Sequence, residues 1–273
     1  MTISLTDEAL ARRRRIPRLA FSILSRLDGS WGEIQTFMRE HVLGLYETLE
    51  RVRRDRLSLA RFGDGELLLS LNPNTRNLSQ QGSPELQADL QAVLRRDGYE
   101  DAPLLVCLPG LSAGYYHSYW AKFWPVVKPL LDLSYTYGDT SVSRETLFLL
   151  DPEKGRLAWR SVWDGKDVCY VIGRRSRFEP LDVLFDGVTS SRIVYSQPTD
   201  AYADVPRLLE EIAATVPRET LVLLALGPAA TILAARLSRL GYWALDIGHV
   251  DNTYLTVVDG APRVETTPLV TAE

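Results

Sequence analysis

From residue 57 onward, short apolar runs alternate along the chain with segments that have the apolar spacing of amphipathic helices. The apolar runs lie at 57–61, 103–108, 167–172, 191–195, 220–226 and 242–246, and the helical patterns at 84–96, 112–130, 203–215 and 228–240. Strands that alternate with helices at this spacing form βαβ units, in which the strands run parallel and helices cover both faces of the sheet. The sequence therefore predicts an α/β fold with a mostly parallel sheet.

The first 56 residues have a different pattern, because helical spacing there is not interrupted by strand-like runs. Between residues 31 and 54, apolar residues recur at threes and fours, which predicts one amphipathic helix. These residues are Ile34, Phe37, Met38, Val42, Leu45 and Leu49. We therefore divide the chain into an N-terminal helical extension at 1–56 and one α/β domain at 57–273. The arginine run at 12–15 could touch anionic lipid or an acidic partner, although a solvated helix face explains it as well.

The composition is that of a globular protein and excludes several classes of function. The 31 basic and 35 acidic residues lack the basic excess of nucleic-acid binders, so no nucleic-acid partner is expected. The longest apolar stretch, at 221–235, is too short to span a membrane, and the N-terminus lacks the features of a signal peptide. We therefore expect a cytoplasmic protein. Cys107 and Cys169 lie in apolar contexts, which predicts buried strand residues rather than a disulfide or a zinc site.

The clearest candidate site follows the first predicted strand, where the sequence reads RFGDGE from Arg61 to Glu66. Ligands of parallel sheets bind beyond the carboxyl ends of the strands. Asp64 and Glu66 are two residues apart, so in an extended or turn conformation both could converge on one hard cation such as Mg²⁺ or Mn²⁺. Gly63 permits close approach of a ligand to the backbone, and Arg61 could hold a phosphate through a bidentate contact. A simple turn with Glu66 in the first turn of a helix explains the same letters.

A second candidate site lies near the C-terminus. Gly227 and Pro228 follow a predicted strand and begin a helix, a natural position for a phosphate. The glycine-rich dinucleotide fingerprint is absent, which argues against NAD or FAD. Beyond the last predicted strand, His249 stands between Asp246 and Asp251. It could be a metal ligand, a general base, a substrate contact or a structural hydrogen-bonding residue.

Several loops add polar candidates near predicted strand ends. Arginines that could contact a diphosphate or a sugar are Arg144, Arg174, Arg175 and Arg177. Asp200 and Tyr202 follow the strand at 191–195 and could hold a base or ribose, although a proline-containing turn explains them too. His117 lies in the aromatic stretch GYYHSYW, for which we predict a core position rather than an acceptor-facing groove.

These ordered motifs resemble those of the bacterial GT-D type glycosyltransferases, a family first catalogued as a domain of unknown function. Its members have R-F-G-D-G-E after a strand, and a G-P-A helix that leads to D-I-G-H-x-D near the C-terminus. The matching segments here are 61–66, 227–229 and 246–251, and the segments at 141–144, 176–178 and 200–202 are also similar. The resemblance spans roughly residues 55 to 255.

The resemblance implies a Rossmann-like fold and a metal-dependent hexosyltransferase. A Mn²⁺ or Mg²⁺ ion would assist transfer of a hexose from a nucleotide sugar, typically a UDP-sugar, to a glycan or glycoconjugate acceptor. The D-x-E motif, carried onto Asp64 and Glu66, would serve the metal and the diphosphate. Asp246, His249 and Asp251 would complete the catalytic region. Donor contacts would come from Arg61, Gly63, Ser143, Arg144, Arg177, Tyr202, Gly227 and Pro228.

The chain also departs from the family pattern. Asp200 replaces an asparagine, Glu145 and Thr146 replace the residues that usually follow Ser-Arg, and the segment 173–175 replaces an acidic loop. These changes concern the donor base, the sugar or the acceptor more than the class of reaction. Two alternatives are a non-catalytic partner subunit that binds nucleotide sugars and a metal-dependent phosphohydrolase. For the oligomeric state we leave a homodimer open, and peripheral membrane contact would involve the N-terminal arginine run.

Overall fold

A computed structural model describes residues 2–15, 17–111, 114–263 and 266. The other residues include 112 and 113, at the start of the helix predicted at 112–130, and 267–273, at the end of the predicted domain. These positions lie outside the described residues, as does the side chain of Arg14 in the arginine run.

Seven parallel strands form one sheet at the centre of the chain. They are β1 (Ser58–Arg61), β2 (Leu104–Leu108), β3 (Gly138–Asp139), β4 (Asp167–Gly173), β5 (Ser190–Ser196), β6 (Leu221–Ala225) and β7 (Trp243–Asp246). The order across the sheet is β3-β2-β1-β7-β6-β4-β5, and every neighbouring pair runs parallel. The predicted α/β fold is confirmed, and each of the six predicted strands is present.

Helices precede the sheet and connect its strands. They are α1 (Asp7–Arg15), α2 (Arg18–Leu27), α3 (Ser30–His41), α4 (Leu45–Asp55), α5 (Asp64–Leu71), α6 (Pro84–Arg95), α7 (Gly114–Val127), α8 (Glu145–Leu150), α9 (Pro152–Trp163), α10 (Asp182–Phe185), α11 (Val205–Thr215), α12 (Pro228–Arg239) and α13 (Val250–Val258). Within the described ranges, no helix combines the length and the apolar character needed to cross a membrane.

The prediction of one helix between residues 31 and 54 is wrong, because the chain forms α3 and α4 with a break between them. Val42 has an extended backbone, and the residues on either side of it exchange backbone hydrogen bonds with Tyr137. The two helices then pack on opposite faces of the sheet, α3 through Phe37 and α4 through Leu49. The apolar spacing continues through the break because both helices bury one face. The division of the chain at residue 57 stays a prediction.

The core consists of two layers, one on each face of the sheet. In β6, Leu221 and Leu223 pack against α4, α9 and α13, whereas Val222 and Leu224 pack against α11 and α12. This alternation follows from the two-residue period of a strand whose two faces are both covered. Such burial makes the strands visible in the sequence as nearly continuous apolar runs.

Three predictions about single side chains can be compared with the core. Cys107 in β2 and Cys169 in β4 are both fully buried, as predicted. The core position predicted for His117 is wrong, because this side chain is exposed on α7. Its Nε2 atom lies 2.8 Å from the carbonyl oxygen of Leu111, and its ring packs on Trp31 with a centroid distance of 5.4 Å. A short aromatic stretch on a helix covers more than one face, so its composition alone did not show which side chains are buried.

Candidate functional site

A cavity of about 660 Å³ opens at the carboxyl ends of the parallel strands. Residues that follow β1, β3, β4, β5, β6 and β7 line it, together with the loop that connects α5 and α6. Its volume lies within the range of small-molecule sites, and its position agrees with the rule for open α/β sheets. The predicted candidates that line it are Arg61, Gly63, Asp64, Glu66, Arg144, Arg175, Arg177, Gly227, Pro228, Asp246 and His249.

A buried ion pair lies at the floor of this cavity. Arg61 ends β1 and Asp246 ends β7, and these strands are neighbours in the sheet. The Nη2 atom of Arg61 donates to Oδ1 of Asp246 at 2.8 Å, and Nε donates to the Asp246 carbonyl oxygen at 2.7 Å. Nη1 donates to the hydroxyl of Ser143, and the two charged side chains are 9% and 4% exposed. The guanidinium is therefore held in one orientation by both the carboxylate and the Ser143 hydroxyl.

Asp64 and Glu66 lie in the first turn of α5, which begins directly beyond β1. The Gly63 amide donates to Oε2 of Glu66 at 2.8 Å, so this side chain caps the helix. Burial, followed by the nearby charge of Asp246, raises the pKa of Glu66 above its usual range. Asp64 is partly exposed and accepts a hydrogen bond from the Tyr115 hydroxyl at 2.8 Å. RFGDGE thus forms the turn and helix start that the simpler interpretation describes, and Asp64 and Glu66 both line the cavity.

The carboxylates are suited to a metal that arrives together with a phosphate ligand. Within the described part of the chain, no group of three or more His, Cys, Asp or Glu side chains could hold a metal ion by itself. Asp64 and Glu66 nevertheless line the same cavity. Mg²⁺ is usually bound by one or two carboxylates and completes its octahedral shell with water and substrate phosphates. Asp64 and Glu66 are thus ligands of the type that Mn²⁺ or Mg²⁺ takes when substrate phosphates and water complete its shell.

Other residues that line the cavity are suited to an anion. Helix α12 begins at Pro228, which has no N–H, and the Ala230 amide donates to the Gly227 carbonyl at 2.9 Å. The helix therefore presents mainly the positive end of its dipole to an anion. Gly227 has φ +57°, and a Cβ atom there would lie 2.7 Å from the Ser79 hydroxyl, so the turn requires glycine. Five arginines also line the cavity: Arg61, Arg76, Arg144, Arg175 and Arg177. Together these groups give this part of the cavity the positive charge that favours an anion.

Five predicted candidates are not among the residues that line the cavity: Ser143, Arg174, Asp200, Tyr202 and Asp251. The Ser143 hydroxyl accepts a hydrogen bond from Nη1 of Arg61. The Tyr202 hydroxyl instead donates to Asp89 at 2.6 Å. Asp251 is 2% exposed on α13, and one of its carboxylate oxygens accepts from the Glu179 amide at 2.7 Å. The structure therefore places Ser143 and Asp251 as supports of neighbouring segments, and Tyr202 beside α6.

Asp251 leads to a prediction about stability. Burial raises the pKa of Asp251 to about 6, and its other carboxylate oxygen has no hydrogen-bond partner among the described residues. An unfolded aspartic acid titrates near pH ~3.9. Between these two pKa values, the folded state keeps a proton that the unfolded state has lost. The stabilisation that protonated Asp251 gives is therefore complete below pH ~4 and is lost as the pH rises through about 6. Asp251→Asn removes this titration and keeps an acceptor for Glu179.

We expect the wild type to lose about 2 to 3 kcal/mol of stability relative to Asp251→Asn between pH ~4 and ~7. Urea unfolding of both proteins across this range measures the difference. Asp259→Asn, at an exposed position just beyond the end of the same helix, is the matched control. A difference between wild type and Asp251→Asn that does not change with pH would contradict the prediction.

Some lining residues could not be found by searching strand ends. The loop at 75–79 follows α5 rather than a strand, and it closes one side of the cavity. Its Ser79 carbonyl accepts from the Asp200 amide at 2.8 Å, which joins it to the loop beyond β5. Thr231, inside α12, donates its hydroxyl to the Arg61 carbonyl at 2.8 Å. The only sequence signal for the loop at 75–79 is its polar composition between two helical patterns.

Comparison with known proteins identifies a family whose members resemble this chain. Residues 59–267 match the family model for the glycosyltransferase GT-D fold. Glycosyltransferase GlyD of Streptococcus pneumoniae serotype 4 is 30% identical over 233 residues, which cover 81% of this chain and 28% of GlyD. The probable glycosyl transferase Gly of Streptococcus gordonii is 30% identical over 225 residues, which cover 78% of this chain and 32% of that protein. The chain thus spans about a third or less of the length of these curated relatives.

Solved structures agree with the sequence comparison. One of them is a structure of the domain of unknown function 1792, which is described as having a distinct glycosyltransferase fold. It has a TM-score of 0.74 and 27% sequence identity, and the match covers 89% of this chain and 90% of that chain. Another, described as a new glycosyltransferase from Streptococcus sanguinis, has a TM-score of 0.71 and 28% identity, with coverage of 85% and 90%. Because the family model matches residues 59–267, most of this chain, the chain belongs to the glycosyltransferase family of the GT-D fold.

Proposed function

We propose that this chain is a metal-dependent glycosyltransferase that moves a hexose from a UDP-sugar to a glycan or glycoconjugate acceptor. The observation that carries the proposal is the composition of the cavity. It joins the carboxylates of Asp64 and Glu66 to an anion-binding wall formed by arginines and the first turn of α12. A nucleotide sugar has a diphosphate between its sugar and its nucleoside, and this arrangement matches that chemistry. A cytoplasmic location and a homodimer remain sequence-based expectations.

The diphosphate would be bound from two sides. The N-terminal end of α12, together with Arg144 and Arg177, would contact its oxygens. Asp64 and Glu66 would hold Mn²⁺ or Mg²⁺ at the opposite side. When bound, such an ion neutralises the charge that develops on the leaving nucleoside diphosphate. Arg61 lines the cavity floor, where Asp246 neutralises its charge and fixes its position.

The acceptor hydroxyl loses a proton during transfer. His249 lines the cavity and immediately precedes α13, so it is placed to take this proton if the reaction inverts the configuration of the sugar. A retaining reaction would not require a protein base. Asp251 is buried away from the cavity and therefore acts through the segment it supports.

Thermal unfolding tests the proposal. Each of a panel of nucleotide sugars is added to the protein with Mn²⁺ or with EDTA, and the shift in Tm is measured. Ligand at about 100 times its Kd stabilises a protein by about 2.7 kcal/mol, so the donor should raise Tm clearly, and more with Mn²⁺ than without it. UDP-sugars are expected to give the largest shift. The absence of a shift with every nucleotide sugar would contradict the proposal. Release of the sugar at equal rates with and without an acceptor would favour a hydrolase.

A further inference from the structure

We propose that Tyr115 on α7 forms an acceptor subsite, in which a sugar ring of the glycan acceptor packs on the tyrosine ring beside Asp64. This inference rests on the proposed function, because it assigns the second substrate of the same reaction. The subsite lies next to the donor cavity and shares Asp64 with it.

The position of α7 supports this assignment. Described residues that follow every strand except β2 line the donor cavity. Helix α7 is the element that follows β2, which lies on the opposite side of β1 from β7. Tyr115 does not line the cavity, yet its hydroxyl donates to Oδ2 of Asp64 at 2.8 Å. A ligand that approaches over α7 would therefore meet a bound donor at Asp64.

The side chain of Tyr115 is exposed and held in place. It is 42% exposed, although most large apolar side chains near it are buried. The Tyr116 ring lies edge-on at a centroid distance of 5.2 Å, and the Tyr119 ring lies at 6.4 Å. Together with the hydrogen bond to Asp64, these contacts order the ring before any ligand arrives. Binding of a sugar face would thus cost little additional ordering of the protein.

A buried hydroxyl beneath Tyr115 is a second, independent observation. Tyr119 is 5% exposed, and its hydroxyl makes no hydrogen bond within the described part of the chain. Burial, followed by the charge of Asp64, raises the pKa of Tyr119 well above its usual range. Buried polar groups without partners are rare in native proteins and call for an explanation. The Tyr119 ring lies 6.4 Å from the Tyr115 ring, so this hydroxyl belongs to the same aromatic cluster as the exposed tyrosine.

The chemistry of the two sides of Asp64 separates donor from acceptor. The cavity side has five arginines and a helix N-terminus, which suit a diphosphate. The α7 side has tyrosine rings and hydroxyls near Asp64, which suit the apolar face and the hydroxyl groups of a neutral sugar. The occupant of the Tyr115 subsite is therefore the sugar at the reacting end of the acceptor.

Three variants test the subsite in the full chain. Tyr115→Ala removes the ring, and Tyr115→Phe keeps the ring but removes the hydrogen bond to Asp64. Tyr195→Ala is the matched control, because Tyr195 is 41% exposed on β5 and does not line the cavity. Binding to an immobilised panel of hexose-containing oligosaccharides, with UDP and Mn²⁺ present, is the measurement.

We expect the wild type to retain oligosaccharides of the panel, and Tyr115→Ala to bind them about ten-fold or more weakly. Tyr115→Phe should remain within about three-fold of the wild type, since the ring supplies most of the contact. Tyr195→Ala should match the wild type. Equal binding by Tyr115→Ala and the wild type would overturn the inference, as would a wild type that is stabilised by a UDP-sugar but retains no oligosaccharide. A wild type that no nucleotide sugar stabilises would instead contradict the proposed function.

Discussion

Replacement of Arg61 with methionine is expected to lower the free energy of unfolding by about 3 to 5 kcal/mol. The change leaves the carboxylate of Asp246, which is 3% exposed, without its charged partner. Removal of one member of a buried ion pair costs more than the pair contributes, because the remaining charge stays desolvated. Urea unfolding of the wild type and Arg61→Met at neutral pH measures the effect.

Two further variants show whether the ion pair is responsible. Arg53→Met removes an exposed arginine whose partner is Glu50 on the same helix, and it should leave the unfolding midpoint close to that of the wild type. The double variant Arg61→Met, Asp246→Asn should be less destabilised than the sum of the single changes, since no uncompensated charge remains. A stability of Arg61→Met within about 1 kcal/mol of the wild type would contradict the assigned role of this pair.

Asp64→Asn and Glu66→Gln are each expected to lower kcat/KM for sugar transfer by about 100-fold or more. Both changes remove a negative charge that would hold the metal beside the diphosphate, and both keep the shape of the side chain. Glutamine at position 66 can still accept from the Gly63 amide, whereas Glu66→Ala would also lose the helix cap, at a cost of about 1 kcal/mol. The amide variants therefore separate catalysis from folding better than alanine does.

Initial rates with the donor identified by thermal stabilisation provide the measurement, and urea unfolding confirms that the variants fold. Glu219→Gln is the control, because Glu219 is exposed in the turn that precedes β6, at the opposite ends of the strands. Its rate should equal that of the wild type. If both Asp64→Asn and Glu66→Gln turned over substrate at the wild-type rate, the proposal that these carboxylates hold the metal would be wrong.

Six of the seven strands were predictable because they contain short apolar runs, which are longest in β2, β4 and β6, where five residues of each strand are apolar. The exception is β3, which consists of Gly138 and Asp139 and has no apolar pattern. The break between α3 and α4 was not predictable either. It depends on hydrogen bonds to Tyr137, which is far away in the sequence, and local periodicity contains no information about such contacts.

The candidate site was predictable where a polar residue directly follows a strand. This rule located Arg61, Asp64 and Asp246 at the cavity, because parallel strands bring their carboxyl ends to one edge. It does not specify the direction of side chains in the following helix, so it placed Asp251 in the site although that carboxylate supports the segment at Glu179. It also omits the wall at 75–79, which connects two helices.

The central claim is that Asp64 and Glu66 hold a divalent metal together with the diphosphate of the donor. Isothermal titration of UDP into the wild type, Asp64→Asn and Glu66→Gln, each with Mn²⁺ and with EDTA, tests it most directly. We predict that Mn²⁺ tightens UDP binding to the wild type by about ten-fold or more, and that this coupling is largely lost in both variants. Equal UDP affinity of the wild type in Mn²⁺ and in EDTA would contradict the account.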